Sequence, residues 1–301
     1  MRTRAAVAAV SGALVLSALA VPVSHAADSR QDSAELARSI ESSFRDRVAA
    51  APSAAPKGAL AGTAAKTVKT ADTAPKVTKV VVNGGKPVVL GATGSKKVSV
   101  SYTVSHASGI YWTLSYLWTG GAKLDSITNI ILPEEDEPVC KAVSATTSNC
   151  TYTAKAEARY LFNNEAKNWN VATYVVANSA DSAEKEKAGT VKFQRASQLT
   201  VTATPKPVKK GKTLTVTGKL SRANWETGKN AGYAGQPVKL QFRKKGSSTY
   251  TTIKTVKGSS TGTLKTTTTK TTAEGYWRWS FAGTASTPAV SAPGTLVKIK
   301  K

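Results

Sequence analysis

Two stretches near the carboxy end of the chain alternate strictly between apolar and polar positions. In residues 236–243, Val238, Leu240 and Phe242 alternate with Lys239, Gln241 and Arg243; in residues 275–283, Trp277, Trp279 and Phe281 alternate with Tyr276, Arg278 and Ser280. A period of two puts each set on its own face of a strand, so both stretches predict half-buried antiparallel strands. Shorter strand-like segments at 199–203, 214–220, 250–256, 264–269 and 296–299 bring the total to seven between residues 196 and 301, separated by Gly, Pro and Lys turns and by one long loop at 221–235. That is the pattern of an immunoglobulin-like sandwich, although the Cys, Trp, Cys spacing of antibody domains is absent.

Upstream, residues 77–195 read the same way. Strands are expected at 77–82, 87–90, 98–104, 110–118, 169–177 and 191–193, and in residues 110–118 the side chains of Ile110, Trp112, Leu114, Tyr116 and Trp118 share a face that predicts a core strand. Residues 195–197 leave no room for a flexible linker, so the two units should abut. Residues 27–51 carry Leu36, Ile40, Phe44 and Val48 four apart, with acids early and arginines late, which predicts an amphipathic helix matched to its dipole. Such a helix either packs on a partner or frays in water. Residues 52–76 hold almost nothing large to bury and read as a flexible linker. Residues 1–26 combine Arg2 and Arg4, an apolar run and small residues at Ser24 and Ala26, the layout of a secretory signal that is removed. The fold class is therefore all-β: two antiparallel, immunoglobulin-like β-sandwiches, at 77–195 and 196–301, behind a short helix and a disordered linker. No further apolar run is long enough to span a bilayer, so the mature chain carries no transmembrane segment.

The second unit resembles a known group. Val201, Thr202, Ala203 and Pro205, the turn Val208, Lys209, Lys210, Gly211, the run Val216 to Leu220, the strand Val238 to Phe242, then Tyr250, Gly262, Gly275, Tyr276, Arg278, Phe281 and Gly283 follow in the order of bacterial immunoglobulin-like modules of actinomycete secreted proteins. The unit before it is similar to the region that precedes such modules in secreted actinomycete proteins of unknown function. The resemblance implies fold and export, and it transfers no functional residue.

Charge changes the picture. The chain carries +24, and residues 196–301 hold 19 Lys and Arg against 2 Asp and Glu, a net +17. Lys206, Lys209, Lys210 and Lys212 cluster at one turn; Arg243, Lys244 and Lys245 cluster at another. An excess of this kind outside the cell attracts an anionic cell-wall polymer or another extracellular polyanion, with an affinity that falls as salt rises. Lys outnumbers Arg, which favours diffuse attachment over specific nucleic-acid readout. Lys also guards sheet edges against aggregation, and that reading needs no ligand.

Candidate chemistry is sparse. Cys140 and Cys150 predict a structural disulfide in Ser/Thr-rich loop sequence of an oxidising compartment. His106, next to Ser105, is the one histidine outside the signal and so the one available general base for a serine hydrolase; its turn-like surroundings predict a plain loop residue. Glu226 and Glu274 would have to converge for paired-carboxylate glycosidase chemistry. The run Glu134, Glu135, Asp136, Glu137 offers oxygen donors for Ca²⁺ without the spacing of a dedicated loop, and could instead meet the basic unit. Trp225 and Tyr233, in the polar loop, are the candidate sugar-stacking pair of a carbohydrate-binding module; Trp225 folded back over the sandwich edge is the plainer alternative. The expected function is non-enzymatic attachment to the envelope with no cofactor, the alternatives being carbohydrate binding and a structural or adhesive module that holds a protein partner.

Overall fold

The computed structural model describes residues 28–52 and 74–300. The expected signal at 1–26 and nearly all of the expected linker lie outside the described residues. Among those described, one helix, α1 (Asp28–Ala50), is followed by strands throughout. Nine strands form the first part: β1 (Lys76–Val82), β2 (Val88–Leu90), β3 (Ser95–Ser105), β4 (Ile110–Gly120), β5 (Ile127–Ile131), β6 (Val139–Ser144), β7 (Thr147–Glu157), β8 (Asn168–Ala177) and β9 (Ser182–Arg195). One sheet has the order β1-β3-β7-β6 and the other β2-β9-β8-β4-β5. Val98, Val100, Tyr102, Tyr152, Trp169, Val171 and Phe193 fill the space between them.

Strand β4 is buried on both faces, and its large side chains point away from the sandwich interior. Trp112, Leu114, Tyr116 and Trp118 join Tyr174 and Val176 in a separate apolar layer beneath α1, where Ile40 is 3% exposed and Phe44 lies 4.9 Å from the Tyr174 ring. The interior side of β4 takes Leu117 and the small Thr113 and Ser115, which hydrogen-bond to Tyr102 and Thr173. The expected single face over Ile110 to Trp118 also breaks at its start: a bulge between Ile110 and Trp112 turns Ile110 toward the sandwich interior. The helix is thus neither frayed nor waiting for another molecule. It covers the aromatic face of the second sheet, and an Arg47 to Glu137 ion pair at 3.4 Å ties its last turn to the β5–β6 loop.

A cleft of about 460 Å³ remains along the edge of this contact, lined by Arg38, Glu41, Lys123, Tyr174, Glu184 and Glu186. Burial raises the Glu184 carboxyl above its ordinary value, against the hydrogen bond from Tyr174 that favours its charge. A carboxyl with a raised folded pKa costs stability once pH exceeds that value and costs nothing when acid protonates both folded and unfolded states. Glu184→Gln is therefore expected to raise the melting temperature at neutral pH and to leave it unchanged near pH 3. Equal effects at both pH values would show that the carboxylate charge is not what strains this contact.

The cysteines sit in strands rather than in a loop. Cys140 on β6 is directly opposite Cys150 on β7 with an S–S bond of 2.04 Å, and Cys150 is fully buried. The bridge pins the edge strand β6, whose six residues are all exposed, to a strand inside the sheet. By loop entropy it contributes about 3 kcal/mol.

The second part contains β10 (Ser197–Leu199), β11 (Thr202–Thr204), β12 (Val208–Lys209), β13 (Leu214–Asn224), β14 (Lys229–Gly232), β15 (Pro237–Lys244), β16 (Thr251–Lys257), β17 (Thr263–Thr268), β18 (Gly275–Phe281), β19 (Val290–Ser291), β20 (Thr295–Val297) and β21 (Ile299–Lys300). Strand β13 is the hub of one layer, pairing with β10, β11, β14 and β17. The other layer runs β16-β15-β18-β19, with β20 also on β18. The alternation in the sequence appears as burial: Trp277, Trp279 and Phe281 point inward with Val238 and Leu240 opposite, and the indole N–H of Trp279 donates to the Thr217 carbonyl at 3.0 Å. The expected strand at 296–299 is in fact two, β20 on β18 and β21 parallel to β12, with Lys298 between them.

Strand β13 also continues beyond the expected end at Leu220, and this carries Trp225 out of the second core. Trp225 is 3% exposed, packs with the first core, and donates its indole N–H to the Gly91 carbonyl at 2.9 Å. A face so buried cannot stack on a sugar, which removes Trp225 from the alternative carbohydrate platform and favours the reading in which it folds back. Around it, Arg195 Nε donates to the Ala223 carbonyl at 2.6 Å, Gln194 donates to the carbonyls of Thr284 and Ala285, and Asn163 Nδ2 donates to Asn224 and Glu226. Burial and the nearby charge of Arg222 bring the Arg195 guanidinium down to about 10, so it stays a cation at neutral pH.

Candidate functional site: a basic end and an arginine–tyrosine face

Strand direction decides where the cations go. β18 starts at Gly275 and ends beside the joint with the first core, where residues 284–286 receive Arg195 and Gln194. Its start is therefore the distal end. Lys244 of β15 is registered with Gly275 there, and Val297 of β20 lies on its other side. Lys209 of β12 is paired with Lys300 of β21, and the turn that follows donates the Gly211 N–H to the Thr271 carbonyl, just before β18 begins. Gly211 takes φ +71°, a left-handed turn that glycine makes without strain. Lys206 Nζ donates to Thr295 Oγ1 at 3.0 Å, and Lys206, Pro207, Leu296 and Lys298 line a shallow pocket. The two sequence clusters, Lys206 to Lys212 and Arg243 to Lys245, therefore lie toward one end of the second part. Glu274, 3.2 Å from Lys245, is the one carboxylate among the described residues of that end.

On the outer face of the β15–β18 layer, which carries Arg243 and Arg278, and at Arg222 on β13, the cations are of a different kind. Residues 196–301 contain three arginines and three tyrosines, and each arginine lies over a tyrosine ring. Arg222 is 3.9 Å from the centre of Tyr233, Arg278 is 3.6 Å from Tyr250, and Arg243 is 4.3 Å from Tyr276 and 5.2 Å from Tyr250. Arg278 Nε donates to Gln241 Oε1 at 2.9 Å, and Arg243 donates to the Ser247 carbonyl. Tyr250 reaches across the face to Gly294, where a side-chain carbon would stand 2.3 Å from the phenol oxygen. None of the three arginines pairs with a carboxylate among the described residues. Sequence reading missed this arrangement because its partners are scattered over β13, β15, β18 and the loops that hold Tyr233 and Tyr250. The one legible signal was the polar side of the alternation in residues 275–283.

The other candidates disperse or are occupied. Tyr233 is half-buried under Arg222 and is edge-on to Phe281. Glu226 caps the joint through Asn163 while Glu274 is at the distal end, so the two cannot act on one bond. Glu134 meets Lys97, Glu135 accepts the Thr153 N–H and Glu137 meets Arg47; their partners all precede residue 196, so within the chain these three acids meet the first part and not the basic unit. No group of acids or histidines among the described residues is arranged to hold a metal ion. The His106 ring, with a side chain 7% exposed, lies 2.8 Å from Ser108 Oγ and 3.5 Å from Asp181. Ser108 Oγ already donates to Ser179 Oγ and accepts the Ser179 N–H. The cluster fastens the β3–β4 turn to the β8–β9 turn.

The fold and site together define an all-β protein of packed, mostly antiparallel sheets, with β2 parallel to β9 and β12 to β21, and with a basic end. A family model described as "Family of unknown function (DUF5707)" matches residues 89–175, from β2 into β8. No curated protein matches. Among solved structures, a tetra-tandem repeat in the extending region of a large adhesion protein is similar at 12% identity and a TM-score of 0.29, over 74% of this chain and 48% of that one. The Yersinia pseudotuberculosis adhesin InvE is similar at 13% and 0.25, over 75% and 59%, and a putative membrane anchored protein from Corynebacterium diphtheriae at 13% and 0.27, over 71% and 52%. The chain thus spans between about half and three-fifths of each. No helix among the described residues is long and apolar enough to cross a membrane.

Proposed function

We propose that this is an exported, non-enzymatic protein of two abutting β-sandwich units, divided at residues 195–197, that attaches electrostatically to an anionic polymer of the cell envelope. The observation that carries the reading is the gathering of Lys206, Lys209, Lys210, Lys212, Arg243, Lys244 and Lys245 at the end of the second sandwich farthest from the first core, with Glu274 as their one nearby acid among the described residues. Like charges crowded at one end repel each other and gain most from an anionic chain that displaces their counterions. The disulfide suits an oxidising exterior. A second reading, a module that holds a protein partner, is favoured by the edge strand β6, where Val139 and Val143 are 60% and 63% exposed.

The deciding experiment is sedimentation of residues 27–301 with purified cell walls. Retention at low salt that disappears at about 1 M salt, where the Debye length is about 3 Å, and on walls stripped of anionic polymer is the expected result. Absence of retention at low salt would overturn the reading.

A further inference from the structure

We propose that the outer face of the β15–β18 layer is a phosphodiester-binding site, in which Arg243 and Arg278 engage the phosphate groups of the attached polymer. This rests on the reading that the polymer is an envelope polyanion, and it adds the chemical group recognised and the residues that recognise it. Tyr250 carries a guanidinium at 3.6 Å and a second at 5.2 Å from its ring centre, so the two cations are no farther apart than the sum of those distances. Two cations held this close by separate strands, without a carboxylate partner among the described residues, leave a concentrated positive charge that an external anion can neutralise. Gln241 and the Ser247 carbonyl hold the guanidinium planes, and the tyrosine rings support them, so little rotamer freedom is left to lose on binding.

The geometry favours phosphate over carboxylate. A guanidinium fork matches the two oxygens of one carboxylate, which a single arginine satisfies in one plane. The two non-bridging oxygens of a phosphodiester sit on a tetrahedral phosphorus and accept hydrogen bonds from directions outside the O–P–O plane, so two forks approaching at different angles can share one phosphate. Leu296 is registered beside Tyr276, and the Lys206–Lys298 pocket borders Leu296, so a chain leaving the arginine pair passes directly onto the basic end. The lysines supply range and strength, and the arginines supply the chemical preference.

The test is calorimetric titration of residues 27–301 with poly(glycerol phosphate) and with polygalacturonate at physiological salt, for the native chain and for Arg243→Lys/Arg278→Lys, which keeps the charge. The double variant is expected to bind the phosphate polymer at least tenfold more weakly and the uronate polymer less than twofold more weakly, with the fluorescence of Trp277 and Trp279, packed on the opposite side of the sheet, unchanged. Loss below twofold on the phosphate polymer, or equal loss on both, overturns this inference and leaves envelope attachment standing; failure of the native chain to bind either polymer even at low salt overturns both. Should the variant unfold, arginine modification by phenylglyoxal on the native chain decides. The phosphate polymer is expected to shield Arg243 and Arg278 while leaving Arg159, whose side chain is 68% exposed, reactive; unshielded Arg243 and Arg278 would overturn it.

Discussion

Trp225→Ala is expected to lower the free energy of unfolding by roughly 3–5 kcal/mol, the usual cost of emptying a buried indole site. The side chain is 3% exposed and belongs, with Ala223, to a core whose other members all precede Arg195. Its removal leaves a void beside Ala223 and strips the Gly91 carbonyl of its donor. The second core has its own apolar interior around Trp277, Trp279, Leu240 and Val216 and should survive. Urea unfolding followed by far-UV dichroism should therefore change from one transition to two, the first part melting earlier. A loss under about 1 kcal/mol with a single transition would mean that the indole does not couple the two cores. Trp225→Phe, which keeps most of the volume and loses the indole donor, is expected to fall between the two.

Neutralising the distal end should affect binding more than any other surface change. With Lys209, Lys210, Lys212, Lys244 and Lys245 replaced by Gln, wall or polymer affinity at low salt is expected to fall on the order of a hundredfold or more, and the slope of log affinity against log salt should flatten, because each lost contact releases one counterion fewer. The control is the same number of substitutions at Lys219, Lys229, Lys254, Lys257 and Lys265, which are equally exposed but lie along the strands or toward the joint. Those changes remove the same net charge and are expected to weaken binding less than tenfold. Equal losses in both sets would show that total charge, not its placement, governs attachment. All ten lysines are exposed, so neither set should alter folding measurably.

Much of the fold was legible. The spacing of Leu36, Ile40, Phe44 and Val48 defined the packing stripe of α1, because residues four apart share a helix face whatever that face meets. The alternation in β18 defined its inward side, buried at every second residue, for the corresponding reason in a strand. What failed were boundaries and loops. Residues 182–190 did not read as strand because Glu184, Lys185, Glu186 and Lys187 suggest a solvated turn, yet β9 runs through them, paired with β8 by backbone bonds that are indifferent to side-chain charge. Residues 139–144 were missed for the same reason: an edge strand with every residue exposed has no buried face to impose a pattern.

The sequence by itself determined the strand-rich class, the faces of the strongly alternating strands, the cysteine pairing and the concentration of positive charge after residue 195. These follow from local periodicity, an even cysteine count and composition. Only the tertiary structure decided what each face meets: that the aromatic side of β4 lies under a helix rather than between sheets, that Trp225 enters the first core, that two separate lysine turns share one end, and that each arginine of the second part lies on a tyrosine. The physical reason is that periodicity reports whether a side chain is buried, whereas its neighbour depends on strand direction, register and packing between residues distant in the chain.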